Sequence, residues 1–357
     1  SVKIRLRADV PLAFCLSGGV DSAALASIAA KNFSAKVNSF SIIDSDERYN
    51  EEGNILATVR DIGCDHHSIS ATADNPLDRL SKLIEYHDAP IATISYFVHS
   101  MLSETISKSG YKVSFSGTSA DELFTGYYDH FLLHLNEMRS TTYYNSYLND
   151  WAVNILPLIR NQDLRNPDLY HQKPSFRNHI FDASDQISEY FITPYTENFR
   201  EEKFTKNLLR NRMFNELFHE ATPLVLHEDD LNSMFYSLEN RSPYLDTNLQ
   251  NFAYSIPAEH LIKNGYGKYV LREALKGILN DTVRLDRRKK GFNASINSII
   301  DLQDASTREF ILDRNCELYS FVDYNKIRDL ISKKNQPNHF SKFIFNLLNS
   351  KIFMESN

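Results

Sequence analysis

Six residues, Ser17-Gly18-Gly19-Val20-Asp21-Ser22, form the strongest chemical signal in the chain. They lie between an apolar run over 10–16, which reads as a buried strand, and an Ala-rich stretch over 23–33, which reads as a helix. Paired glycines let a backbone turn sharply and come close to a ligand. The helix that follows aims its N–H groups and positive dipole end at the turn, which suits an anion such as pyrophosphate. Ser17 and Ser22 add hydroxyls. Asp21 is poorly placed to touch phosphate itself but fits a Mg²⁺ ion bridging phosphates. The plain alternative is a glycine turn capped by Asp and Ser, since both residue types cap helices well. No Walker pattern, with its Gly-Lys-Ser or Gly-Lys-Thr ending, occurs anywhere in the chain.

A turn of this kind works only if a sheet and a helix hold it, and the first 130 residues have the required rhythm. Apolar strands are expected over 37–43, 65–69 and 112–116, and helices over 51–62, 76–87 and 95–109, with Gly63 and Gly110 just past two helix ends. Strand–helix alternation implies parallel strands with right-handed crossovers, hence a doubly wound α/β sheet. From about 131 to 235 strand signals fade, Tyr and Phe become dense, and Pro157, Pro167, Pro174 and Pro194 interrupt helical periodicity. The remainder reads as mostly helical. The expected organisation is an α/β core over 1–130, an aromatic-rich helical insertion over 131–235, and a helical part over 236–357 that completes the site.

Composition narrows the function classes. The 357 residues are 42% hydrophobic and 24% charged, which excludes a disordered or collagen-like chain. Asp plus Glu number 46 against 39 Lys plus Arg, a formal charge of −7, and a protein that coats nucleic acid needs the opposite balance. Cys15, Cys64 and Cys316 are too few and too scattered for a disulfide framework or a cysteine zinc site, and point to a reducing, cytoplasmic setting. No run approaches the roughly 18 apolar residues of a membrane helix. The sequence begins without Met, inside what reads as an amphipathic segment, so an excised piece of a longer protein is expected.

The glycine-paired segment resembles the PP-loop of ATP pyrophosphatases, which cleave ATP between its α and β phosphates and adenylylate a substrate. Ser116-Gly117-Thr118-Ser119-Ala120-Asp121-Glu122-Leu123-Phe124-Thr125-Gly126-Tyr127 is similar to the SGxGxDExxGGY segment of asparagine synthetases, and Glu239-Asn240-Arg241-Ser242-Pro243-Tyr244-Leu245-Asp246 to their ExRxPFLD segment. Gly267-Lys268-Tyr269-Val270-Leu271-Arg272 and Arg287-Arg288-Lys289-Lys290-Gly291-Phe292 match two later signatures in the same order. The resemblance is to the synthetase half of the glutamine-dependent enzymes; their glutaminase half, with its terminal Cys nucleophile, has no counterpart here.

The resemblance implies an adenine nucleotide alpha hydrolase-like fold of the PP-loop type. It implies an ATP- and Mg²⁺-dependent ligase that activates a small carboxylate, by default aspartate, as an acyl-adenylate. Ammonia from a glutaminase domain or subunit then gives the amide, AMP and pyrophosphate. Neither nucleic acid nor membrane is an expected partner, and a homodimer is compatible with the resemblance. Carried over residue by residue, Ser17, Gly18, Gly19, Asp21, Ser22 and Gly117 would hold the phosphates, and Lys268 would lie near the departing pyrophosphate. Ser41 and Ile42 would flank adenine, and Asp21 and Asp121 would hold the metal. Glu239 would position or deprotonate the amine, and Lys289 would stabilise charge developing on the α-phosphate.

Each role has a structural rival. Asp121 and Glu122 could cap a helix, Glu239 could pair with Arg241 and hold a turn before Pro243, Ser41 and Ile42 could belong to a plain strand, and Arg272 could be a surface charge. Three departures from the family pattern stand out: Thr118-Ser119 replaces glutamate-glycine, Ala120 stands where Ser is common, and Thr125 replaces the first glycine before Tyr127. They put side chains where the family keeps bare backbone, so ATP chemistry is a firmer expectation than aspartate. The rival functions are the same chemistry on a sugar carboxylate or a β-lactam precursor, a PP-loop enzyme acting on tRNA, and a non-catalytic binding homologue.

Overall fold

A computed structural model describes residues 1–44, 50–180, 184–195, 200–288, 296–333 and 337–356. Five parallel strands form one sheet in the order β3-β2-β1-β4-β5. They are β1 (Leu12–Cys15), β2 (Asn38–Ile43), β3 (Asp65–Ser70), β4 (Val113–Phe115) and β5 (Glu239–Arg241). Helices α1 (Val20–Phe33), α2 (Glu52–Ile62), α3 (Pro76–His87) and α4 (Ile94–Lys108) make the crossovers. These agree with the expected elements to within a few residues.

Local chemistry explains the crossovers. Ala23, Ala24, Ala26 and Ala29 are fully buried on α1, so that helix lies close on the sheet. Gly63 ends α2 in left-handed backbone (φ 61°), a conformation that suits glycine. The central strand is buried through Ala13 and Phe14, and the Phe14 ring stacks on Phe115 of β4 at 4.8 Å.

The last third is mostly helical as expected, but it opens with a strand, β5, that was not expected. Its Glu-Asn-Arg sequence has no strand propensity, yet it pairs with β4 in register, Val113 opposite Glu239 and Phe115 opposite Arg241. Two helices lead to it: α8 (Leu208–Phe218) and α9 (Ala221–Phe235), the latter packed on α4. The cores also run across the expected boundaries. One joins Phe14, Phe115 and Leu123 to Leu132, Leu209 and Leu261; another joins Leu83 and Phe97 to Ile300, Ile327 and Leu348. Among the described residues no helix is long and apolar enough to cross a membrane.

Candidate active site

The loops after β1 and β4 emerge side by side at the carboxyl edge of the sheet, because β1 and β4 are neighbours. Open α/β sheets bind ligands at that edge. The first loop is already organised. Ser17 N–H donates to Ser22 Oγ at 2.9 Å, Gly19 N–H donates to Ser17 Oγ at 3.2 Å, and the two hydroxyls share a bond at 2.9 Å. Gly18 N–H donates to the carboxylate of Glu51 at 3.0 Å, so an anionic oxygen rests against the turn. The hydroxyl of Tyr244 donates to the Asp21 carbonyl at 3.1 Å and props the loop from behind.

Three charges meet beside this turn. Lys268 Nζ lies 2.7 and 2.5 Å from the two oxygens of Asp21 and 2.6 Å from Asp121 Oδ1. Asp121 comes from the short helix α5 (Ala120–Phe124) and Lys268 from the residue preceding α10 (Tyr269–Ala274). The approach leaves no room for a side chain at Gly126, where a Cβ would fall 1.4 Å from Asp121 Oδ1. At Gly117 a Cβ would come 2.9 Å from Ser22 N and 3.1 Å from the Asp21 Cβ. At Gly117 the backbone of the first loop takes the space a side chain would need, and at Gly126 the Asp121 carboxylate and the Lys268 side chain take it.

A cavity of about 300 Å³ opens from this point under the sheet edge. Ser17, Asp21, Ser41, Ile42, Gly117 and Asp121 all line it. The Ser41 hydroxyl is buried and donates to the Leu16 carbonyl at 2.5 Å, which ties β2 to the turn. On the other side of Asp21 a recess of about 50 Å³ is walled by Gly19, Lys268, Arg272, Arg287 and Arg288. Arg272 is anchored there by donating to the Gly267 and Arg284 carbonyls, and is not a plain surface charge. Cations thus gather where the α1 N-terminus points.

Glu122 is buried on the cavity floor and accepts a hydrogen bond from the Tyr127 hydroxyl at 2.6 Å. Burial and the neighbouring charge of Asp121 push its carboxyl up to about 7. A larger and mostly apolar cavity of about 1120 Å³ lies beyond Tyr127, which borders both.

One expected residue, Glu239, is not part of this gathering. Glu239 is the first residue of β5, at the amino end of the sheet; its side chain is 60% exposed and pairs with Arg241 at 2.7 Å. Arg241 in turn donates to the Arg5 and Arg7 carbonyls, so the pair fastens the N-terminal segment. Glu239 is therefore occupied at the amino end of its strand and does not line the cavity, although its neighbour Asn240 does. Lys289 lies outside the described residues.

Two of the departures from the family pattern have a backbone consequence. Ser119 (φ 72°) and Thr125 (φ 68°) both hold left-handed backbone, which costs a non-glycine residue roughly 1–2 kcal/mol. Their hydroxyls offset part of this, Ser119 by sharing a bond with Thr222 at 2.9 Å and Thr125 by donating to Leu261 O at 3.2 Å. Sequence reasoning missed several cavity residues that carry no motif, among them Glu51, His99 and Asp229. Only a helix amphipathic toward the cavity side, with Asp229 and Ser233 one turn apart, hints at the last.

Comparison with known proteins adds to this geometry. The family model for asparagine synthase matches residues 1–354. The chain belongs to the asparagine synthase family. Within it, "Asparagine synthetase [glutamine-hydrolyzing] 1" of Bacillus subtilis is 26% identical over 343 residues, covering 91% of this chain and 53% of that protein. "Amidase chyE" of Penicillium rubens is 21% identical over 390 residues, covering 93% and 56%. A putative asparagine synthetase of Mycobacterium tuberculosis is 27% identical over 321 residues, covering 83% and 47%. The chain spans about half the length of these relatives.

Proposed function

We propose that the chain is an ATP- and Mg²⁺-dependent amide-forming ligase. It activates a carboxylate as an acyl-adenylate, releases pyrophosphate, and lets ammonia displace AMP. Aspartate is the default acid, and a glutaminase domain or subunit in the cytoplasm is the natural ammonia source. The observation that carries this reading is the Asp21–Lys268–Asp121 triangle beside the Gly18-Gly19 turn. Two carboxylates from separate elements converge on one cation, a hard-oxygen donor set that also suits Mg²⁺. Glu51 on Gly18 N–H marks where an anionic phosphate oxygen would rest.

In this reading Asp21 and Asp121 would hold the Mg²⁺ ion, which would neutralise phosphate charge when bound. Ser17, Gly18, Gly19, Ser22 and Gly117 cradle the phosphates, and Ser41 and Ile42 border adenine. Lys268, released from the carboxylates, moves its charge to the departing pyrophosphate, toward the recess walled by Arg272, Arg287 and Arg288. Such preorganised charge stabilises the transition state more than the bound substrate. Lys289 keeps its proposed place at the α-phosphate, and Glu239 has no catalytic part.

The same chemistry on a larger acceptor is favoured by one observation, the 1120 Å³ cavity that shares Tyr127 with the nucleotide cavity. Exchange of labelled pyrophosphate into ATP, measured with Mg²⁺ and a panel of carboxylic acids that includes aspartate and bulkier amphipathic acids, tests both. Acid-dependent exchange is expected. Exchange with none of the acids would overturn the ligase reading, and exchange with bulky acids alone would overturn aspartate.

A further inference from the structure

The amine step of such a reaction needs a group to take a proton from the attacking nitrogen, and Glu239 is not placed to do so. The geometry points to His99, oriented by Asp229, as the general base for the amine. This inference rests on the ligase reading and assigns a residue to it.

His99 sits on α4, on the same face as Leu102 and Ser103, and all three line the nucleotide cavity. Its side chain keeps 31% exposure, whereas Asp229 beside it keeps 12%. His99 Nδ1 lies 3.2 Å from Asp229 Oδ1. A carboxylate at Nδ1 selects the tautomer whose proton is on Nδ1, which leaves the lone pair on Nε2. An imidazole held by a carboxylate in this way is a general base that can also carry the positive charge it acquires.

The pair is set by packing rather than by sequence proximity. Asp229 comes from α9, and α9 is pinned against α4 by Asn232 Nδ2 donating to the Tyr96 carbonyl at 3.0 Å. Ala92 N–H donates to Glu228 at 2.9 Å just ahead of α4. The Thr118 hydroxyl completes the group by donating to Asp229 Oδ2 at 3.5 Å. Position 118 is where the resembled motif carries glutamate; a carboxylate there would confront Asp229 with a like charge. The neutral hydroxyl and the histidine are a matched set.

Other titratable groups around the cavity, buried Asp44 among them, are differently engaged. Lys268 binds Asp21 and Asp121, Gly18 occupies Glu51, and Tyr127 donates to buried Glu122. Burial pushes the Cys15 thiol on β1 up to about 12, and Asp229 adds to this, so Cys15 stays neutral. Tyr96, edge-on to the His99 ring at 5.9 Å, is likewise held protonated by burial.

In the step itself the amine nitrogen forms a bond to the acyl carbon while an N–H proton passes to His99 Nε2. The tetrahedral intermediate then collapses, the acyl C–O bond to phosphate breaks, and its electron pair leaves with AMP. The imidazolium beside Asp229 returns its proton to solvent.

The test compares two half-reactions in the same chain. Pyrophosphate exchange with the best acid of the panel reads adenylation, and amide formed from added ammonium chloride reads the amine step. In His99→Gln, which keeps a donor toward Asp229 but cannot take a proton, the amide step should fall at least about 10²-fold further than exchange does. Asp229→Asn should fall less, because it disturbs the tautomer but leaves the ring. Added imidazole should restore part of the rate in His99→Ala. An active unaltered chain beside a His99→Gln variant whose amide step falls no more than its exchange would overturn this proposal alone. An unaltered chain that exchanges with no acid would overturn the ligase reading and this proposal together.

Discussion

Two of the charged clusters among the described residues behave differently. At the sheet edge Lys268 is shared by Asp21 and Asp121 on the wall of a cavity, so any of the three can trade its partner for a ligand. In the second cluster Arg212 on α8 reaches Glu216 at 3.0 Å, Glu220 at 2.7 Å and Asp129 at 3.5 Å, while His130 meets Glu216 at 2.8 Å and Arg177 meets Glu201 at 2.5 Å. Asp129 and His130 lie on α6 (Tyr128–Met138), and the cluster joins it to α8.

The trio Asp129, His130 and Glu216 is spaced like a metal-ligand set, but the Arg212 guanidinium already provides a cation between two of them. Burial alone would raise the Asp129 carboxyl, yet His130, His179 and Arg212 hold it well below the usual carboxylate range. Burial opposes charge on His130 as well, and Glu216 with Asp129 outweighs it and raises that imidazole. Similar residue types thus make a clamp where buried cations and anions satisfy one another, and a candidate reaction centre where a charge can change hands.

Breaking the clamp should have the largest effect. Arg212→Met strips the buried acids of their cation and should lower unfolding free energy by about 3–5 kcal/mol in urea titration. A change under about 1 kcal/mol would mean the cluster does not hold the helices together.

At the sheet edge the loss should appear in rate. Lys268→Met should slow pyrophosphate exchange about 10²-fold or more, near 3 kcal/mol of transition-state stabilisation, with a smaller change in urea midpoint. Equal loss of fold and rate would erase the distinction between the clusters.

A pH titration sharpens the contrast further. Burial holds the His134 imidazole on α6 down to about 4 against an ordinary 6.5, with its Nε2 3.0 Å from the Ala258 carbonyl. A lowered histidine value means stability is complete above about 6.5 and is lost as pH falls toward 4, by up to about 3 kcal/mol. His134→Gln should flatten that slope in unfolding measured from pH 7 to 4; an unchanged slope would assign the acid sensitivity elsewhere. His130 works in the opposite sense, its contribution fading as pH rises through its raised value.

The smallest change is expected at Glu239→Gln. An exposed pair contributes about 1 kcal/mol or less, and exchange should stay within about twofold of the unaltered rate. A large drop in exchange at unchanged stability would bring Glu239 back to the reaction.

Legibility followed the range of the interactions involved. The four strands and crossovers of the first 130 residues were readable because each is apolar or periodic within its own segment. The turn at Gly18-Gly19 was readable for the same reason, since its backbone chemistry is complete within six residues. β5 was not, because Glu-Asn-Arg becomes a strand only by pairing with β4. Glu239 could be named from its motif, but its direction depended on which end of β5 faced the ligand edge. Glu51, His99 and Asp229 were hidden because their relevance is a matter of what lies across the cavity.

What the sequence settled unaided is the parallel α/β plan and the phosphate-suited turn, both products of local backbone preference and hydrophobic period. Only the tertiary structure decided that Asp21, Asp121 and Lys268 share one point, that Glu239 fastens the N-terminal segment, and that His99 meets Asp229. Such meetings join residues a hundred or more positions apart, and no local propensity specifies them. They exist because buried apolar faces dock the elements in one arrangement, and the polar groups carried along must then find partners or remain at a cavity wall.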